Sequence, residues 1–238
     1  MTLDRRKTAR APVSAGRHAP TEDLAVLTRA NHDMRSPLSV MLGVLELLED
    51  SASLNDGERR YLKFGRDAAT DLLSQADALR LYSALRRELV TPEAGATDLH
   101  GLAREQLTRA LAGRDVTLDC RDGEHPAAAC DAGYLDVALA ALCRHIASHL
   151  PVPDDGVELV LRVDTFLGRQ GTTVLQIHGL DHAEGHPADV VRTTMPNPGE
   201  QSVAVVNALR LIELMGGSVA LDVELAYLRL SLPHAAAS

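Results

Sequence analysis

Residues 31 to 38 read Asn31-His32-Asp33-Met34-Arg35-Ser36-Pro37-Leu38, and the setting of this octet in the surrounding apolar pattern decides the fold. Leu24, Leu27, Asn31, Met34, Leu38, Met41, Leu45 and Leu48 recur at alternating steps of three and four, the two-position seam of a coiled coil or helix bundle. With Leu24 as the first heptad position, His32 is the second, Asp33 the third and Ser36 the sixth, all on the solvent side. A lone histidine is most simply read as part of a core. The off-seam placement predicts instead an exposed imidazole beside a carboxylate on the outer face of a long helix.

Working outward, this helix is expected to start near Thr21, an N-cap after Pro20, with Glu22 and Asp23 in the first turn where the helix dipole favours acids. It should end near Ser51. Pro37 inside a helix costs about 3 kcal/mol, and a bend rather than a stop is expected there. Asn55, Asp56 and Gly57 mark a tight connection into a second helix over 56–89, whose Leu62, Gly65, Ala69, Leu72, Ala76 and Leu79 again step by three and four. Two helices with one narrow seam each cannot bury their apolar surface alone. Pairing two hairpins solves this, so residues 20–90 are predicted to form half of a dimeric antiparallel four-helix bundle.

After Val90 the pattern changes. Residues 91–97 read as a linker, Thr97 and Asp98 cap a helix over 98–112, Val116 to Cys120 alternates as a strand, and a helix follows from Asp131 to His149. Strands over 157–164 and 172–179, a helix over 200–215 and a closing hairpin over 218–232 complete an α/β sandwich spanning 98–238, one sheet backed by helices. Residues 1–19, rich in Arg, Ala and Pro, read as a disordered tail.

Composition narrows the function classes. Hydrophobic residues make up 45% and aromatics only 3%, with no Trp, so the core is built from Leu, Val and Ala. A formal charge of −9 speaks against nucleic acid as a general partner. Cys120, Cys130 and Cys143 lack metal-type spacing, which points to reduced thiols and a cytoplasmic setting. No run approaches the roughly eighteen apolar residues of a membrane span.

The octet resembles the phospho-acceptor box of two-component histidine kinases, S-H-E-[LM]-R-T-P-L, with His32 at the position of the phosphorylated histidine. The second half is similar to the ATP-binding domain of the same kinases: Asp131, Leu135, Leu139 and Leu142 match a D-x-x-x-L-x-x-x-L-x-x-L helix, and Leu211-Ile212-Glu213-Leu214-Met215-Gly216-Gly217 is close to L-V-E-L-M-G-G. The likeness covers residues 21 to 233.

That family binds Mg-ATP through an asparagine helix, an aspartate-glycine loop and a glycine-rich lid. The two asparagines fall on Ala141 and His145; alanine ligates no metal, and imidazole is softer than the oxygens Mg²⁺ prefers. In one register of the D-x-G-x-G loop, Gly179 stands in the aspartate's place; in the other, Asp181 and Gly185 remain as remnants with Ala183 between them. The G-x-G-L-G segment, whose backbone N–H groups cradle phosphates, reads Gly199-Glu200-Gln201-Ser202-Val203, after a short lid over 186–198 with three prolines. ATP-driven autophosphorylation is therefore not expected, and no cofactor is assigned to this chain.

What the resemblance leaves is a histidine phosphotransferase, most like those passing phosphoryl groups between receiver-domain aspartates. His32 would be the acceptor, Asp33 would fix its tautomer or take its second proton, Ser36 would place a water, and Arg35 would contact the partner or form a surface ion pair. Mg²⁺ is expected in the partner receiver domain. Two alternatives are an ATP-dependent sensor kinase core and a non-catalytic adaptor for response regulators. His145 and His149 have no evident third ligand at a matching place, and His178, His182 and His186 cluster in a loop-like segment, all better read as filling positions released from nucleotide duty, so no metal site is expected.

Overall fold

The computed structural model describes residues 20–49, 54–120, 123–150, 159–169, 171–179, 202–222 and 227–236. Helix α1, Pro20–Glu49, runs unbroken through Pro37. It begins one residue before the expected cap, so Thr21 lies inside the helix; proline suits a first turn because its missing N–H would be unpaired there. The tail over 1–19 lies outside the described residues.

Helix α2, Asp56–Arg86, starts on a full capping box: the Asn55 side chain accepts from the Glu58 N–H at 3.0 Å, and Glu58 accepts from the Asn55 N–H at 2.8 Å. Its end corrects the expected 89. Glu88 has a left-handed φ of 55°, and the Leu89 N–H turns back to the Ala84 carbonyl at 3.0 Å. This closure ordinarily uses glycine, and without one the sequence carried no stop signal.

The helices pair antiparallel. Arg66 meets Glu49 at 2.5 Å near the connection, Leu45 lies 3.6 Å from where a Cβ on Gly65 would stand, and Arg35 meets Asp77 at 2.9 Å further up. The α1 seam splits in two. Its first-position residues turn towards α2, with Asn31 buried and Leu24, Leu38 and Leu45 partly so, while its fourth-position residues Leu27, Met34, Met41 and Leu48 stay exposed.

The second half is an α/β layer structure. Strand β1, Gly95–Thr97, pairs antiparallel with β3, Ala128–Cys130; the expected linker over 91–97 thus ends in a strand. Helix α3, Leu99–Ala110, is capped by Asp98, and β2, Val116–Cys120, follows. Helix α4, Ala132–His149, is capped by Asp131, whose carboxyl is held below the usual range by the N–H groups of Tyr134 and Glu93. Strands β4, Leu159–Leu167, and β5, Thr172–Gly179, precede helix α5, Val203–Leu214, and the hairpin of β6, Ser218–Asp222, with β7, Tyr227–Pro233.

The five-stranded sheet runs β2-β4-β5-β7-β6, parallel between β2 and β4 and antiparallel elsewhere. Alternate strand residues such as Leu161, Val163, Leu175, Ile177, Leu228 and Leu230 are buried under the helices, as period-two alternation requires. On the opposite parity, Arg162 pairs with Asp119 of the neighbouring strand at 2.6 Å. Leu85 and Val90, at and beyond the end of α2, belong to this same buried cluster, with Leu81 and Ala84 packed against it. The hairpin therefore shares its core with the α/β half. No disulfide joins Cys120, Cys130 and Cys143, and burial pushes the Cys143 thiol up to about 12.

Candidate functional site

His32 lies near the middle of α1 with its side chain 87% exposed, and Asp33 is 69% exposed. The fully helical backbone sets this: with Asn31 anchored in the hairpin, the next two positions rotate by about 100° each towards solvent. His32 Nδ1 and Asp33 Oδ1 stand 3.6 Å apart, beyond hydrogen-bond distance. Ser36, one turn on from His32, is also exposed. An open imidazole, an adjacent carboxylate and a hydroxyl thus share one accessible patch. Pro37 has no N–H to give the Asp33 carbonyl four residues back, which leaves an added acceptor beside the patch.

Behind the patch stands a framework the sequence did not reveal. The Asn31 amide donates to the Ala76 carbonyl of α2. Arg35, expected to touch a partner or form a surface pair, reaches Asp77 Oδ1 at 2.9 Å. The Asn207 amide of α5 donates to the Ala78 carbonyl at 2.7 Å. Three consecutive residues of α2 thus receive α1 twice and α5 once. Asn31 could have been found, because a polar residue in an apolar seam commonly sets register. Asp77 and Asn207 gave no such signal.

Of the nucleotide positions, Ala141, His145 and Gly179 lie in described structure. Ala141 is buried within the apolar cluster, so that position is core and carries no metal ligand. His145 is half-buried, meets His149 edge-on at 4.5 Å between ring centroids, and has a buried Nε2 without a hydrogen-bond partner. Burial, and secondarily His149, lower its pKa, which favours a neutral imidazole. This pair does not fit Mg²⁺, which takes oxygen ligands. Gly179 closes β5 and is buried. Asp181, Gly185, Ala183, His182, His186, Gly199 and Glu200 lie outside the described residues. Among the described residues no group of three or more His, Cys, Asp or Glu side chains could hold a metal, and no helix is long and apolar enough to cross a membrane.

Comparison with known proteins agrees with this architecture. Residues 24–88 match the family profile of the His Kinase A (phospho-acceptor) domain. Among solved structures, full-length ShkA in complex with AMPPNP superposes with a TM-score of 0.58 at 21% identity, covering 92% of this chain and 47% of that one; this chain thus spans about half of it. The histidine kinase AdeS of Acinetobacter baumannii superposes with a TM-score of 0.50 at 12% identity, covering 85% and 97% of the two chains. No curated protein matches by sequence. The molecule is a phospho-acceptor helical hairpin joined to an α/β domain of the histidine kinase ATPase type. Its fold is histidine kinase-like.

Proposed function

We propose that the chain is a histidine phosphotransferase of a two-component phosphorelay, in which His32 takes a phosphoryl group from a receiver-domain aspartate and passes it to another. The observation that carries this reading is the contrast between the two halves: an open His32-Asp33 pair on the hairpin, and Ala141 and His145 where a kinase-type domain would need oxygen ligands for Mg-ATP. A neutral imidazole nitrogen attacks the phosphorus of the aspartyl phosphate, the aspartate carboxylate leaves, and the ring proton is drawn towards Asp33. Ser36 would place a water for occasional hydrolysis. Mg²⁺ belongs to the receiver's acidic pocket, where it neutralises charge on the transferring group. Response-regulator receiver domains are the partners this predicts.

The proposed working unit is a homodimer. Leu27, Met34, Met41 and Leu48 form a continuous apolar row left uncovered on one chain, and a second hairpin supplies the surface to bury it. Labelled ATP, and separately a labelled phospho-receiver, distinguish the readings when wild-type protein is compared with His32→Ala. Label on wild type from the phospho-receiver alone, absent in His32→Ala, is the expected result. Label from ATP would establish the sensor-kinase alternative, and label from neither donor would leave a non-catalytic adaptor.

A further inference from the structure

Asn207 is 2% exposed, and its two polar atoms have different fates. Nδ2 donates to the Ala78 carbonyl across the boundary between α5 and α2, while Oδ1 is buried with no donor. A buried acceptor left unsatisfied opposes the packing that buries it. Apolar residues pack beside this contact: Val205, Ala208, Leu211 and Ile212 of α5 lie in the cluster that Leu81, Ala84 and Leu85 of α2 join. The directional bond from Asn207 therefore helps to fix where α5 sits, and the orphan oxygen keeps it from being fully secured. The turn it grips is the one that holds α1, since Ala76 accepts from Asn31 and Asp77 pairs with Arg35, the residues flanking His32 and Asp33.

We propose that Asn207 is a releasable latch that couples the seating of the α/β domain to the segment of α1 bearing His32, through residues 76–78 of α2. When α5 is seated, the turn is held from both sides and α1 is braced behind the exposed imidazole. When α5 lifts, Asn207 recovers hydration of both amide atoms, and the turn loses one of its two supports. Asn31 and Arg35 then grip a looser partner. The device needs no phosphate donor, so it stands or falls separately from the phosphotransfer reading.

Hydrogen–deuterium exchange on the full chain tests it. In Asn207→Asp a carboxylate faces the Ala78 carbonyl, acceptor against acceptor. Exchange should rise about ten-fold or more in peptides covering α5 and residues 76–86, and also in the peptide covering 27–36, with β5 and β7 unchanged. Asn207→Leu removes donor and orphan together and should exchange at the wild-type rate or slower. Several results would overturn the proposal: Asn207→Asp matching wild type, acceleration of α5 with 27–36 unmoved, equal acceleration in β5 and β7, or Asn207→Leu opening as fast as Asn207→Asp.

Discussion

Replacing Asn31 separates what stabilises the hairpin from what specifies it. Asn31 is 3% exposed, occupies the first heptad position beside His32, and donates to the Ala76 carbonyl. In Asn31→Ala that bond is lost, at a net cost of about 0.5–1.5 kcal/mol, and the space vacated by the amide adds a little more. The expected destabilisation is about 1–2 kcal/mol. In Asn31→Leu the same bond is lost, but a buried leucine side chain contributes about 1.5–3 kcal/mol, and the Ala76 carbonyl can keep its own helical N–H. The net is a gain of about 0.5–2 kcal/mol, bought with a loss of register, since a polar seam residue sets alignment and oligomer state at a cost in stability. Urea unfolding followed by far-UV circular dichroism should rank Asn31→Leu above wild type and wild type above Asn31→Ala. Sedimentation velocity should show a single species for wild type and a mixture for Asn31→Leu. If Asn31→Leu proves less stable than Asn31→Ala, the amide is a stabilising contact and the register argument fails.

Other consequences follow from the α/β half and the hairpin surface. At Gly217 an added Cβ would lie 2.6 Å from the Ser231 carbonyl oxygen and 2.7 Å from Leu232 Cδ2, so Gly217→Ala should cost about 1–3 kcal/mol by overpacking, read as a lower urea midpoint. Leu142 is fully buried in α4, and Leu142→Ala should cost about 2–5 kcal/mol, measured in the same way. Arg35 and Asp77 are 44% and 41% exposed, so Arg35→Ala should change stability by less than about 1 kcal/mol; a larger shift in the unfolding midpoint would mean the pair is more than a surface contact. His100 and His145 both have pKa values lowered from 6.5, chiefly by burial and then by His125 and His149 respectively. The unfolded chain takes up these protons first, so stability should be full above pH 6.5 and fall as pH drops from 6.5 through the lowered folded values. His145→Gln should flatten that decline in thermal melts taken across the range.

What the sequence disclosed and what it withheld divide along one line. Helix periodicity is local, so the α1 seam and the outward placement of His32 could be read from Leu24 to Leu48 alone. Which half of the seam faces α2 could not, because the distinction between Leu38 and Met41 exists only once α2 is in place. The end of α2 escaped because Glu88 adopts a left-handed conformation without being glycine. Strands β1 and β3 escaped because three residues of Gly, Ala, Thr or Cys show no alternation. Asp77 sits among many charged residues on α2, and Asn207 finds Ala78 across 129 positions; no local pattern encodes either pairing. The outward placement of His32 was thus legible and its support was not.

The altered nucleotide positions are consistent with how the domain is held together. A side chain that must ligate a metal keeps a polar group at the surface of the helix layer, where packing cannot be completed around it. Ala141 instead lies in the buried cluster with Leu142 and Leu139, and the helix closes over it as it would over any core position. His145 is half-withdrawn, with a neutral ring favoured by burial and by a second histidine. Meanwhile α5 and the end of α2 share that core, so the α/β half is packed directly onto the hairpin. Such packing suits the proposed relay through His32, in which the donor and the recipient of the phosphate would both arrive on other proteins and the α/β half need hold no nucleotide.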